Sequence, residues 1–220
     1  MRTRGSQNRA TPERRRAILD AALAEFLDRG VEGATLDAVC ARVGVTKGSV
    51  YHHFASKEQM AVTLYGEAVG SIQAHVMSRI SAEATARGTV EQLVESYLGW
   101  FAARPALGAF VFQIMDGHAL DAYVEPVSAM RVAFIEALAA RLDPFVAAGQ
   151  VRATSSRLRI AIVIGPARDF LRGWLPSPDK RAMAEALRVL PSAAYEALAP
   201  KPHTTRKGAA RPAARRRSST

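Results

Sequence analysis

One cysteine, Cys40, stands in 220 residues, so no intramolecular disulfide can form and no cysteine-based zinc site is available. Aromatic residues make up only 7% of the chain, and no apolar run approaches the roughly 18–20 residues that a membrane-spanning helix needs. The opening stretch MRTRGSQNRATPERRR has no apolar segment after its arginines, which argues against a secretory signal. A phosphate-binding glycine loop, a nucleophile elbow and metal-ligand spacing are also missing, so no enzyme class finds support and no cofactor is implied. No segment alternates apolar and polar residues with period two, so no strand is expected. These absences together point to a cytoplasmic, all-α protein that is not an enzyme.

What the chain does have is apolar content and localised charge. Hydrophobic residues are 49% of the sequence, ample for a core. The formal net charge is +10, yet residues 1–16 carry six arginines against one glutamate (+5) and residues 200–220 carry seven Lys/Arg and no acid (+7), leaving −2 for the body between. A slightly acidic globule with two basic arms suits a polyanionic partner, because basic arms gain affinity by releasing condensed counterions whatever the sequence bound.

Helical signals follow one another along the whole body, about nine helices in all. Thr11-Pro12-Glu13 reads as cap, first helical position and first-turn acid; Ile18, Ala22 and Phe26 continue one apolar face, and Gly30 stops it. Thr35 caps a short helix with apolar residues at Leu36, Val39, Cys40 and Val43, and Gly44 ends it. Thr46 caps a third helix expected to run to about Phe54. Ser56-Lys57-Glu58-Gln59 is a capping box opening a long fourth helix. Further helical periods follow through residues 89–103, 105–115, 124–148, with a break expected at Pro144, then 156–175 and 179–198. From Pro200 the composition is too polar to bury a core. The division is therefore a basic flexible arm (1–10), a three-helix domain (11–56), a linking helix (57–80), a larger helical domain (81–199) and a basic disordered tail (200–220).

The second and third helices, joined by a tight glycine turn and packed on the first, describe a helix-turn-helix. Val50 and Phe54 are the third helix's only apolar anchors, so most of its circumference faces outward. That outward surface carries small and donor residues: Lys47, Gly48, Ser49, Tyr51, His52 and His53. Glycine and serine allow close approach to DNA, while lysine, tyrosine and histidine offer donors to phosphates and base edges. The paired histidines are not a chelating pair, because neighbours on a helix point about 100° apart.

The run ATLDAVCARVGVTKGSVYHHFASKE, residues 34–58, resembles the signature of TetR-type transcriptional repressors, and the likeness is continuous from about Arg16 to Leu64. Cys40 stands where isoleucine or alanine is usual, a change an apolar core position tolerates. The resemblance implies a homodimer whose N-terminal domains enter successive major grooves of double-stranded DNA at a palindromic operator. It implies that Thr35 and Thr46 cap their helices and contact phosphate, and that Lys47, Gly48 and Ser49 face base edges. Tyr51, His52 and His53 would grip the backbone and groove wall, and Lys57 would hold a phosphate at the start of the fourth helix. It further implies that the fourth helix links a ligand-induced change in the larger domain to the spacing of the two reading heads.

Ligand and dimer surfaces are less sharply written. Phe101, Phe110, Phe112, Met115, His118, Met130, Phe134 and Trp174 are the candidates for lining a small-molecule effector cavity, probed by a hydrophobic ligand, although at helical spacing each also fits plain core. Ile160–Ile164 is apolar around most of a helical circumference, and Gly165 and Gly173 permit close approach. Residues 157–175 and 179–198 are accordingly expected to form the dimer interface, in keeping with the family's pairing of its final two helices. The resulting expectation is a repressor released from its operator by a small hydrophobic molecule. A ligand-independent or activating regulator and a non-specific architectural DNA binder remain open alternatives.

Overall fold

A computed structural model describes residues 11–81, 84–117 and 124–200. The arm at 1–10, the tail from 201 onward and His118 lie outside the described residues. Ten helices occur among those described: α1 (Pro12–Gly33), α2 (Leu36–Val43), α3 (Lys47–Tyr51), α4 (Lys57–Arg79), α5 (Ala86–Ala103), α6 (Pro105–Asp116), α7 (Val124–Ala140), α8 (Asp143–Ala147), α9 (Ser156–Trp174) and α10 (Lys180–Leu198). No described residue lies in a strand. The count exceeds the expected nine because the chain breaks after Ala140, and Pro144, in the first turn of the five-residue α8, starts a helix of its own.

The caps read from the sequence are in place. The hydroxyls of Thr11, Thr35, Thr46 and Ser56 accept from the amides of Arg14, Ala38, Ser49 and Gln59 at 3.2, 3.2, 3.4 and 3.2 Å. At Gly44 the backbone turns left-handed (φ 72°), a conformation that costs a side-chain-bearing residue about 1–2 kcal/mol, and Gly44 N–H closes the end of α2 on Cys40 O. Gly30 does less than stop α1. Its backbone (φ 71°, ψ 164°) kinks the helix in a region nearly reserved for glycine, and one further turn runs on to Gly33. Helix α3 is shorter than expected: it ends at Tyr51, and His52 and His53 fold into a turn in which His53 N–H and Phe54 N–H both donate to Val50 O at 2.9 Å.

Helix α5 is the centre of the body, packed against α4, α9 and α10. Its Leu93, Val94, Leu98, Trp100 and Phe101 are wholly buried, and Trp100 Nε1 donates to Ser71 Oγ on α4 at 3.0 Å. No single described helix is long and apolar enough to cross a membrane, and α5 and α6 meet at a 108° corner. That corner is tight because Gly108 of α6 sits under the Phe101 ring: a Cβ there would lie 2.6 Å from Phe101 Cδ1 and 3.1 Å from Leu175 Cδ2. Among its junctions with the rest of the described chain, the three-helix head meets α4 and α6 through α1. Arg15 and Arg16 of α1 pair with Glu67 of α4 at 3.2 and 3.1 Å. Phe26 of α1 stacks on Phe110 of α6 (5.8 Å between centroids), and Gln113 Nε2 donates to Phe26 O at 3.1 Å.

Gly108→Ala is expected to destabilise the chain by about 1–3 kcal/mol, the usual result of overpacking a fixed core. Gly99→Ala on α5, where an added Cβ meets nothing within 4 Å, should be neutral or stabilising by up to about 1 kcal/mol. Thermal denaturation of the two variants side by side checks this; equal melting temperatures would refute the close-packed corner.

Candidate nucleic-acid interface and ligand cavity

The head's small core explains how α3 is offered to solvent. Val50 is fully buried and Phe54 nearly so, with the Arg15 guanidinium lying over the Phe54 ring at 5.2 Å. Thr46, Lys47, Gly48, Tyr51 and His52 are exposed, with Ser49 and His53 half-buried; Tyr51, at 54%, is the most exposed of the large apolar side chains among the described residues. A tyrosine turned outward beside four small or polar residues is not a packing solution, and it fits a contact surface.

Helix α2 is pinned to α1 by Arg42, whose guanidinium reaches Glu25 Oε2 at 3.2 Å and also bonds Asp28. Glu25 is itself buried and pairs with Arg29 at 3.2 Å, so the angle of the reading unit depends on a carboxylate locked between two arginines. Lys47 is held by Asp37 of α2 at 2.9 Å, and that hydrogen bond raises the lysine's pKa, keeping it cationic. Burial, then the neighbouring His52, Arg15 and Arg14, lowers the pKa of His53 below the ordinary histidine value. At neutral pH His53 is therefore an uncharged N–H donor and acceptor.

Lys57 has a different placement from the one its motif implies. Its ammonium donates to Glu32 O at 2.5 Å and Ala34 O at 3.0 Å, tying the start of α4 to the last turn of α1. Two of its three donors are thus used inside the head, and one is left for a phosphate.

The body contains a cavity of about 320 Å³ walled by α4, α5, α6, α7 and α9. Its apolar floor includes Val69 and Ile72 of α4, Val111 of α6, and Leu138 of α7. Of the eight cavity candidates read from the sequence, Met115 and Phe134 line it. The others described are drawn elsewhere by specific partners. Phe101 covers Gly108 and meets Phe112 edge-on at 5.7 Å; Phe110 stacks on Phe26. Met130 packs over Gly66 of α4, where an added Cβ would stand 3.2 Å from its Cε. Trp174 Nε1 closes the α9–α10 turn on Asp179 O at 2.7 Å. Sequence reasoning missed Tyr65, Tyr97, Arg131, Arg157 and Arg168, which all line the cavity. One signal was available on α9: Arg157, Ala161, Gly165 and Arg168 form a basic–small–small–basic stripe at helical spacing.

The family described as "Bacterial regulatory proteins, tetR family" matches residues 18–64, the segment from the first buried turn of α1 to the second turn of α4. Over those residues the chain is similar to the N-terminal segment of TetR-family regulators. Among curated relatives, the HTH-type transcriptional regulator BetI of Rhizobium meliloti is 31% identical over 83 residues, which is 38% of this chain and 41% of BetI. The HTH-type transcriptional regulator SrpR of Pseudomonas putida is 51% identical over 45 residues, 20% of this chain and 21% of SrpR. These matches span well under half of the curated relatives, so they describe the TetR-type head. Solved structures extend the likeness in fold to the body. A putative tetR family transcription regulator from Shewanella sp. PV-4 superposes with a TM-score of 0.68 at 22% identity, covering 86% of this chain and 99% of that one. FadR from Bacillus subtilis, solved in complex with stearoyl-CoA, gives 0.73 at 16% identity, covering 83% and 98%. That head resembles the corresponding segment of bacterial transcriptional regulators.

Lys57→Met, which keeps the stem and removes the ammonium, is expected to lower the stability of the DNA-free protein by about 1–2 kcal/mol, since two hydrogen bonds from a charged donor are lost. Chemical denaturation without DNA measures this; an unchanged midpoint would leave Lys57 with a phosphate role alone.

Proposed function

We propose that the chain is a sequence-specific, homodimeric transcriptional repressor that leaves a palindromic operator when a small molecule enters its body. The observation that carries this reading is the outward polar surface of α3 on a TetR-type head: one buried valine seats the helix, and Lys47, Gly48, Ser49 and Tyr51 are left facing out. In this reading residues 11–56 read DNA, 57–80 link, and 81–199 hold the ligand and the dimer. Thr35, Thr46, His52, His53 and the free donor of Lys57 contact the sugar–phosphate backbone. The basic segments at 1–10 and 200–220 add sequence-independent affinity, and the protein works in the cytoplasm.

The last two helices suit self-association. Leu158 on α9 and Val189 on α10 are 51% and 42% exposed, and both lie on faces turned away from the body's own core. Gly173 has open space where a Cβ would stand, so a second helix can come close at that end of α9. A two-fold pairing through residues 157–175 and 179–198 would cover these faces and set the spacing of two heads.

Release requires that the ligand bind the DNA-incompetent arrangement better than the competent one. Two helices touch both the cavity and the head. Helix α4 lines the cavity with Tyr65, Val69 and Ile72, and it begins at Lys57 on the head. Helix α6 lines it with Val111 and Met115, and its Phe110 and Gln113 rest on α1. A ligand that shifts either helix therefore moves a surface on which the head sits. FadR of Bacillus subtilis, with the same fold, holds stearoyl-CoA, which supports a ligand role for a body of this shape.

Selection from a random duplex library at near-physiological salt, followed by footprinting, tests the reading. A protected palindrome is expected, abolished by Tyr51→Ala or Lys47→Ala. Deleting 201–220 should weaken affinity without changing the protected sequence, as a phosphate-only contribution does. Uniform protection of all sequences would overturn the claim of a specific regulator.

A further inference from the structure

The polar groups around the cavity are all of one kind. Tyr65, Tyr97, Arg131, Arg157 and Arg168 are the polar side chains in its lining, which holds no carboxylate, amide or imidazole. Arginine only donates, and a tyrosine hydroxyl donates readily. The two tyrosines are 1% and 5% exposed, and neither hydroxyl has a hydrogen-bond partner among the described residues. Arg131, Arg157 and Arg168 likewise have no carboxylate partner among the described residues, whereas Arg16, Arg42, Arg87, Arg159 and Arg172 each hold one.

Four of the five converge. The charge of Arg168 acts on Tyr97, that of Arg131 acts on Tyr65, and Tyr65 acts on Tyr97. Burial is the leading cause that raises both tyrosine pKa values, so both stay protonated and able to donate. Arg157 lies eleven residues before Arg168 on α9, roughly 16 Å away along the axis, at the other end of the slot. Between them Ala161 and Gly165 leave room. A neutral apolar ligand would cover the two hydroxyls without pairing them, and a cation would be repelled by three arginines.

We propose that the cavity binds an anionic amphiphile, its acidic head between Arg131 and Arg168 with hydrogen bonds from Tyr65 and Tyr97, and its hydrocarbon along Val69 and Leu138. This sharpens the small hydrophobic effector expected from the sequence and rests on the ligand-released reading above. At about 320 Å³ the cavity is at the low end of the roughly 300–1,000 Å³ typical of ligand sites, which selects a compact or medium-length hydrocarbon. A free carboxylate and a phosphate-bearing thioester share this chemistry, and the test separates them.

Isothermal titration of the full chain with decanoate, decanoyl-CoA, decanol and decyltrimethylammonium reads the head-group preference. At least one anion should bind, at least about ten-fold more tightly than decanol, with no binding of the cation; whichever anion binds identifies the source. Arg131→Gln, Arg168→Gln and Tyr97→Phe should each weaken that anion by about ten-fold or more while leaving decanol unchanged. Arg87→Gln, exposed at the start of α5 and outside the lining, should change nothing, and the melting temperature of each unliganded variant identifies any that has failed to fold. Decanol as tight as the anions, anion binding indifferent to Arg131 and Arg168, or no binding of any probe overturns the proposal. Decanol that binds and releases operator DNA would sink the anionic head and keep the effector reading. An anion that binds through these arginines yet leaves operator affinity unchanged would keep the anionic site and sink ligand release.

Discussion

The contact between α1 and α6 is where the rest of the structure is decided. Phe26 and Phe110 stack across it, and Gln113 donates to the Phe26 carbonyl just before the kink at Gly30. An amide bonding to a helical carbonyl near a helix end fixes distance and direction, and a buried aromatic pair adds about 0.5–1.5 kcal/mol beyond the area it covers. Because the other side of α6 faces the cavity through Val111 and Met115, the helix cannot move for a ligand without moving under the head. The tight corner at Gly108 fixes the other end of α6 against α5 and α9, leaving its shift small and directed.

Within the head, a different economy of contacts applies. A reading helix must be rigid yet uncovered. Helix α3 achieves this with five residues, one wholly buried valine, and neighbours that aim its side chains from outside. Asp37 steadies Lys47, and the buried Glu25 with Arg42 fixes α2 beneath it. Lys57, with two backbone carbonyls in its grasp, sets where α4 departs. The last of these ties the start of α4 to the head, so under the proposed release a displacement of α4 near Tyr65 would reach the helix-turn-helix through packed structure.

Local chemistry was legible in the sequence, and distant packing was not. The threonine and serine caps and the glycine end of α2 depend on residues within four positions of one another, and each stands where its pattern placed it, while the break expected at Pro144 comes earlier, after Ala140. Where α3 ends was missed, since Val50 O collects both following amides and turns the chain at His52, which no apolar period announces. The cavity was the larger gap. Phe101 goes to Gly108, Met130 to Gly66 and Phe110 to Phe26, partners separated by 7, 64 and 84 positions, and apolar periodicity cannot distinguish a residue facing a void from one facing a glycine. The arginines of the lining carried no reading in the sequence, and their place beside two tyrosines without a described partner gives them one.

Native-state hydrogen exchange of the full chain without ligand or DNA tests the α1–α6 seam most directly, because it assigns an opening free energy to each helix. If head and body share one packed unit, the amides of α1 around Phe26 should exchange with the same opening free energy as those of α4 and α6 beside them. Exchange of α1, α2 and α3 as a separate group, at markedly lower free energy while α4–α10 stay closed, would contradict the account, because a head that loose could not be steered by a small shift of α6.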